Sequence, residues 1–263
     1  MAVRQFSAEY LEATREGMWA DSREALADLA LQTRERVLDV GCGTGELTRV
    51  LREETPGTVV GCDADIGLLA HLEPPAVLGD ATRLPFEDDS FDLVVCQALL
   101  INLPDPAAAV EELARVSSDR VAAIEPDNGA VTVESTVAAE PSLARRAREQ
   151  YLDGVDTDVT LGAAVSEHFE SAGLEGVRTS RYDHERTVEP PYSEQALEDA
   201  RRKATGDGLA DDRAEIVAGD SPEAYERLRE EWRAMGRDVI EQMGERAYRR
   251  REVVPFYVTV GRV

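Results

Sequence analysis

Lysine is almost absent. Lys203 is the only one among 263 residues, so the 29 basic side chains are nearly all arginine. They face 53 acidic residues, for a net charge of −24. A surface this acidic repels the phosphate backbone at ordinary salt, so nucleic acid is disfavoured as a partner. It resembles the surfaces of proteins that work in molar salt, where the Debye length is about 3 Å and neighbouring carboxylates barely repel one another. A salt-adapted, halophilic source is therefore expected, and in such a cell the charge argument against RNA weakens. Cysteine is scarce too. Cys42, Cys62 and Cys96 form no CxxC pair, and their odd number argues against a disulfide framework. His71, His168 and His184 stand far apart, so no metal site is expected. No apolar run approaches the roughly 20 residues that span a bilayer, and the start MAVRQFSAEY lacks the apolar block of a signal peptide. The expectation is a cytoplasmic protein with no membrane partner.

Hydrophobic residues make up 43% of the chain, enough for a core in one elaborated domain or two modest ones. Residues 7–31 read as two helices, with Ser7 as a cap, Gly17 as a stop, and Leu26, Leu29 and Ala30 as the apolar stripe of the second. Short apolar runs at 37–40, 58–62, 76–78, 91–96 and 121–124 then alternate with helical patterns. Leu47, Val50 and Leu51 supply the buried face of one helix. Asp105-Pro106 opens another, carrying Val110, Leu113 and Ala114 inward. This rhythm implies a parallel sheet with helices on both faces. Helices are expected over 142–152 and 161–173, then strands over 177–188 and 253–260. Between those strands lies a polar helical stretch, roughly 193–245, too long for a plain loop.

The sharpest local signal is Asp39-Val40-Gly41-Cys42-Gly43-Thr44-Gly45, a strand running into a glycine loop before a helix. The glycines allow a tight turn and close approach of a ligand at the carboxyl ends of the strands. A dinucleotide loop has the spacing GxGxxG. Here the spacing is GxGxG, and Glu46 stands where the third glycine would be, a poor neighbour for pyrophosphate. S-adenosylmethionine (SAM) has no phosphate and loses nothing by it. Asp63, followed by Ala64, ends the second strand about 20 residues on, where a ribose diol is held; it suits NAD as well as SAM. The third element is Gly79-Asp80-Ala81-Thr82-Arg83-Leu84-Pro85-Phe86, whose acid can accept from an adenine amino group while the next amide donates to a ring nitrogen.

Together these segments closely resemble class I SAM-dependent methyltransferases, especially the small-molecule branch with the quinone and sterol methylating enzymes. The resemblance is strong over about 36–126 and continues weakly through 168–174. It implies a Rossmann-like, seven-stranded, mostly parallel sheet. It further implies that Asp39 and Gly41, with Cys42, Gly43 and Gly45 of the loop, lie beside the methionine moiety. Asp63 and Ala64 would serve the ribose, Asp80 and Ala81 the adenine, and Gln97 would present its backbone carbonyl to the methionine amine. Two departures stand out: Asn102 lies where relatives often carry a nearby histidine, and Ser117-Ser118-Asp119-Arg120 replaces a Gly-Gly turn.

Methyl transfer from a sulfonium needs alignment and exclusion of water, so neither a triad nor a metal is required. Candidate bases are Glu125, Asp127 and, more remotely, His184, each with a plain structural role as the competing reading. Arg249, Arg250 and Arg251 offer either an anion site or a solvated helix end. Met18 and Trp19, with Tyr10, form either a flap or ordinary packing. The expected domains are 1–188 plus 253–263 for the cofactor, with 1–32 as an N-terminal flap, and 189–252 as a helical subdomain covering a small-molecule substrate. The competing functions are a SAM-binding protein without catalysis and an RNA or protein methyltransferase.

Overall fold

The computed structural model describes residues 18–263. The first expected helix, with Ser7, Tyr10 and Gly17, lies outside the described residues. The second is corrected: after a short helix α1 (Met18–Asp21), Arg23–Leu29 is a 3₁₀ helix, stopped by Ala30 at φ 54°. Leu26 and Leu29 are buried as the stripe requires.

The chain divides into two compact units. The first comprises residues up to 127, 160–182 and 255–263. Its strands are β1 (Arg36–Val40), β2 (Thr58–Asp63), β3 (Ala76–Leu78), β4 (Phe91–Gln97), β5 (Ser117–Pro126), the start of β7 (Glu175–Val188) and the end of β8 (Arg250–Arg262). The order runs β3-β2-β1-β4-β5-β8, with β7 also paired to β8. All neighbours up to β5 are parallel, and β8 is antiparallel to β5. Period-two alternation loads both faces. Leu38, Val40, Val94 and Cys96 face one core, and Val37, Leu93 and Val95 face the other. Helix α4 (Pro106–Val116) covers the first with Val110, Leu113 and Val116, and α2 (Glu46–Glu54) covers the second with Leu47, Val50 and Leu51. Asp105 caps α4 by accepting from the Ala108 amide at 3.1 Å, and the short helices α3 (Ile66–Leu69) and α6 (Val165–Ser171) belong to the same unit. This is the Rossmann-like, mostly parallel sheet wrapped by helices that the alternation implies.

The strand count is corrected from seven to eight. The additional strand is β6 (Thr132–Ser135), four residues of alternating partial burial with no continuous apolar run to betray them. The supposed turn at 117–120 is also strand: Ser117 pairs with Phe91 and Arg120 with Leu93, and a register shift between them absorbs the irregularity.

The second unit comprises 128–159 and 183–254, so it takes in a segment that the 189–252 expectation leaves to the first. It holds β6, paired antiparallel to residues 250–253 of β8, and the helices α5 (Glu140–Gly154), α7 (Glu194–Thr205), α8 (Arg213–Gly219) and α9 (Pro222–Gly244). The α9 stripe of Leu228, Trp232, Met235, Val239 and Met243 is buried. It faces Val137, Leu143, Ala147, Ala200 and Ile216 within the unit's own core. The stripe thus needs no further surface to cover it.

Candidate cofactor site

In the first unit, strand order reverses at β1, which lies between β2 and β4. In open α/β sheets that switch point is where a crevice opens at the carboxyl ends of the strands. The loop 41–45 leaves β1 there, with Gly41, Gly43 and Gly45 at φ 69°, 54° and 83°. The Gly41 and Cys42 amides both donate to the Cys62 carbonyl, at 2.7 and 3.1 Å, binding the loop to the end of β2. A Cβ on Gly45 would lie 2.1 Å from Leu72 Cδ1, and one on Gly41 2.8 Å from Leu99 Cδ1. Glycine is therefore demanded at both by conformation and by space.

Asp63 closes β2 beside this loop. Its Oδ2 accepts from the Gly43 amide at 2.8 Å and its Oδ1 from the Asp65 amide at 2.9 Å. Each oxygen keeps a further lone pair, so the carboxylate is fixed in place and still able to accept. Ala64 follows it in the same connection. Asp80 stands just past β3, where Oδ1 accepts from the Thr82 amide and hydroxyl, both at 2.8 Å. Ala81 beside it is buried. Asp39 is buried at the end of β1 and accepts from the Thr48 hydroxyl at 2.6 Å, across the first turns of α2. Gln97 ends β4, and its side chain turns to the N-terminal segment, accepting from Trp19 Nε1 at 3.3 Å and donating to Met18 Sδ at 3.2 Å. Met18 and Trp19 are buried in the β-sheet core of this unit, with Trp19 edge-on to Phe256. The residues singled out from the sequence are therefore gathered on adjacent strand ends.

Glu125 is fully buried and accepts from the amides of Leu99 and Leu100 at 3.0 and 2.9 Å. His184, the remoter candidate base, is buried in the second unit. Arg250 and Arg251 belong to β8 and not to a helix end; Arg250 meets Glu252 at 2.9 Å and Arg251 pairs with Glu185. No cluster of metal-ligating side chains occurs among the described residues. Cys42, Cys62 and Cys96 are free and buried at three neighbouring strand ends. Burial pushes the Cys62 thiol up to about 12, with Asp63 and Asp39 adding to the effect, and burial raises Cys42 and Cys96 as well. Burial thus favours the neutral thiol at all three positions.

Sequence reasoning missed Leu72, Leu99 and Thr48, and it singled out Glu125 only as a candidate base. Thr48 alone had a signal, a hydroxyl one turn into the helix after a buried strand-end acid. The leucines and Glu125 act through loop geometry that no local pattern carries.

Residues 38–124 match the family model described as "Methyltransferase domain". A demethylmenaquinone methyltransferase of Mycobacterium sp. (strain KMS) is 41% identical over 98 residues, 36% of this chain and 42% of that one. The chain thus spans about two fifths of the length of the curated relatives it matches. Among solved structures, the YcgJ protein of Bacillus subtilis superposes with a TM-score of 0.52 at 16% identity, over 91% of this chain and 98% of that one. The "Phospholethanolamine N-methyltransferase 2" of Haemonchus contortus, in complex with phosphomonomethylethanolamine and S-adenosylhomocysteine, gives 0.51 at 17% identity, over 98% and 58%. These likenesses agree with the fold described above.

Proposed function

We propose that the chain is a SAM-dependent methyltransferase acting on a small molecule. The observation that carries this reading is the strand-end arrangement: a positive-φ glycine loop locked to an acid at the end of β2. It lies inside the segment that matches the methyltransferase domain. The donor and acceptor set suits SAM and disfavours a dinucleotide. Asp63 takes the ribose hydroxyls, Asp80 and the Ala81 amide take adenine, and Asp39, the 41–45 loop and the Gln97 carbonyl take the methionine end. Glu46 opens α2 with a carboxylate, favourable for the helix dipole and hostile to pyrophosphate. Bound SAM supplies a sulfonium-activated methyl group. The protein's task is to align the acceptor and keep water out, which can supply roughly 7–11 kcal/mol.

The second unit falls entirely outside the matched segment. A quinone-like acceptor agrees with the name of the Mycobacterium relative. The acidic surface is adapted to salt: thermal melts should rise steeply from dilute buffer to molar KCl as 53 carboxylates are screened. A flat series would count against that part alone. The function itself is tested by titration calorimetry with SAM, S-adenosylhomocysteine and NAD, followed by a search for a metabolite that gains a methyl group. Preference for NAD would overturn the assignment. SAM binding with no methylated product in any extract would favour a non-catalytic SAM-binding protein.

A further inference from the structure

We infer that Glu125 is a positioning residue for the methionine end of the cofactor, acting through the backbone of the loop after β4; the inference rests on the SAM reading above. The Glu125 side chain is fully buried, on the sheet face that carries Cys96 and Ala123. Its Oε1 accepts from the amides of Leu99 and Leu100, and Oε2 stands 3.5 Å from the Ile101 nitrogen. Three successive amides thus converge on one carboxylate at the start of the 3₁₀ turn Leu100–Asn102. Charge-assisted bonds of this kind are about twice as strong as neutral ones, and a buried carboxylate is tolerated only when so satisfied.

What this clamp holds is the site itself. The chain leaves β4 at Gln97 and turns through Ala98, whose φ of 47° an alanine keeps only when its surroundings impose it. The Ala98 amide donates to the Ile124 carbonyl at 2.9 Å, one residue before Glu125. Leu99 then lies over Gly41, within the space a Cβ there would need. The end of β5 therefore fixes the turn on both sides: Ile124 holds its entry by backbone and Glu125 its exit by side chain. The Gln97 carbonyl and the Gly41 surface, which together face the methionine end, are set by that turn. Asp63 and Asp80, which serve the adenosine end, lie at the end of β2 and just past β3, whereas Glu125 lies on β5.

The separation gives a test that a merely structural role would not satisfy. Wild type and Glu125→Ala are titrated with S-adenosylhomocysteine and with methylthioadenosine, which lacks the amino-acid end. Two orphaned amides correspond to a loss of about tenfold or more for S-adenosylhomocysteine. Methylthioadenosine affinity should change by less than about twofold. Hydrogen exchange at Leu99 and Leu100 should quicken. Glu125→Gln keeps an oxygen for both amides and should restore S-adenosylhomocysteine binding to within about threefold of wild type. Equal losses for the two ligands, or no loss for either, overturn the inference, as does a Gln variant as weak as Ala. If Glu125→Ala does not fold, Glu125→Asp, one methylene short of the amides, carries the same comparison. Wild type that binds neither ligand would overturn the SAM reading itself and the inference with it.

Discussion

Lys203 Nζ lies 2.5 Å from Glu140 Oε1, and the carboxylate it meets is 1% exposed. The chain's only lysine is thus spent inside the second unit. Glu140 also accepts from the Ser135 hydroxyl at 2.6 Å and the Tyr248 hydroxyl at 2.9 and 3.1 Å, and the Arg250 guanidinium lies 3.3 Å away as an ion-pair partner. Burial works to raise the Glu140 carboxyl, but Lys203, Ser135 and Arg250 outweigh it and hold it below the ordinary carboxylate value. Burial draws the Lys203 ammonium below its ordinary value in spite of Glu140. The pair is specific and costly, so removing one partner is worse than never having built it.

Glu140→Gln should cost about 3–5 kcal/mol at neutral pH, the usual loss when a buried pair is broken. A depressed carboxyl stabilises the fold above its ordinary value of 4.5 and loses that contribution as the pH falls through its lower folded value. The gap between wild type and Glu140→Gln should therefore narrow below about pH 4.5 in urea unfolding. A gap that stays constant down to pH 2.5 would show that the Glu140 charge contributes nothing.

The three cysteines should resist alkylation in the folded protein. Their raised thiol values leave almost no thiolate at pH 8, and none is exposed. Mass spectrometry after iodoacetamide should find Cys42, Cys62 and Cys96 unmodified until denaturant is added. Rapid native labelling of any one would contradict its burial.

The first unit was legible because its information is local. Strands 37–40 and 91–96 announce themselves as apolar runs, and the glycine loop with Asp63 and Asp80 recurs at strand ends that topology must bring together. The second unit was legible only in part. The α9 stripe gives a helix but not its partner, which proves to be α5, α7 and α8 of the same unit. Strand β6 was invisible because its pairing with residues 250–253 spans more than 100 positions. Lys203 and Glu140 are 63 residues apart and look like surface charges in the sequence. In the same way, Glu125 reads as a strand-end acid until the three amides above it are placed.

Gly45→Ala should fold poorly. Its Cβ would sit 2.1 Å from Leu72 Cδ1, and the φ of 83° is unfavourable for any L side chain. Overpacking and left-handed strain together correspond to about 2–4 kcal/mol. Gly45→Ala combined with Leu72→Ala removes the clash and keeps the conformational strain. The double variant should therefore be less destabilised than the sum of the singles, a coupling readable in thermal or urea unfolding. Simple additivity would mean that the loop moves away from Leu72 at no cost.

Asp63→Ala should weaken SAM binding about 10–100-fold, from the loss of bonds to a charged acceptor at about 1.5–3 kcal/mol. Two effects contribute, and they can be separated. On the proposed reading the ribose loses its acceptor; the Gly43 and Asp65 amides lose theirs as well, which loosens the glycine loop. Asp63→Asn keeps one oxygen that can still hold an amide or a hydroxyl, but it introduces an NH₂ facing the other amide. Its loss should be smaller than that of Ala and should fall between the two in calorimetry. Methylthioadenosine, which retains the ribose and lacks the amino-acid end, isolates the direct contact. With Asp63→Ala its affinity should drop nearly as far as that of SAM, the reverse of the pattern expected for Glu125. An unchanged dissociation constant for both ligands would remove Asp63 from the ribose, and a loss confined to SAM would leave it only its role in holding the glycine loop.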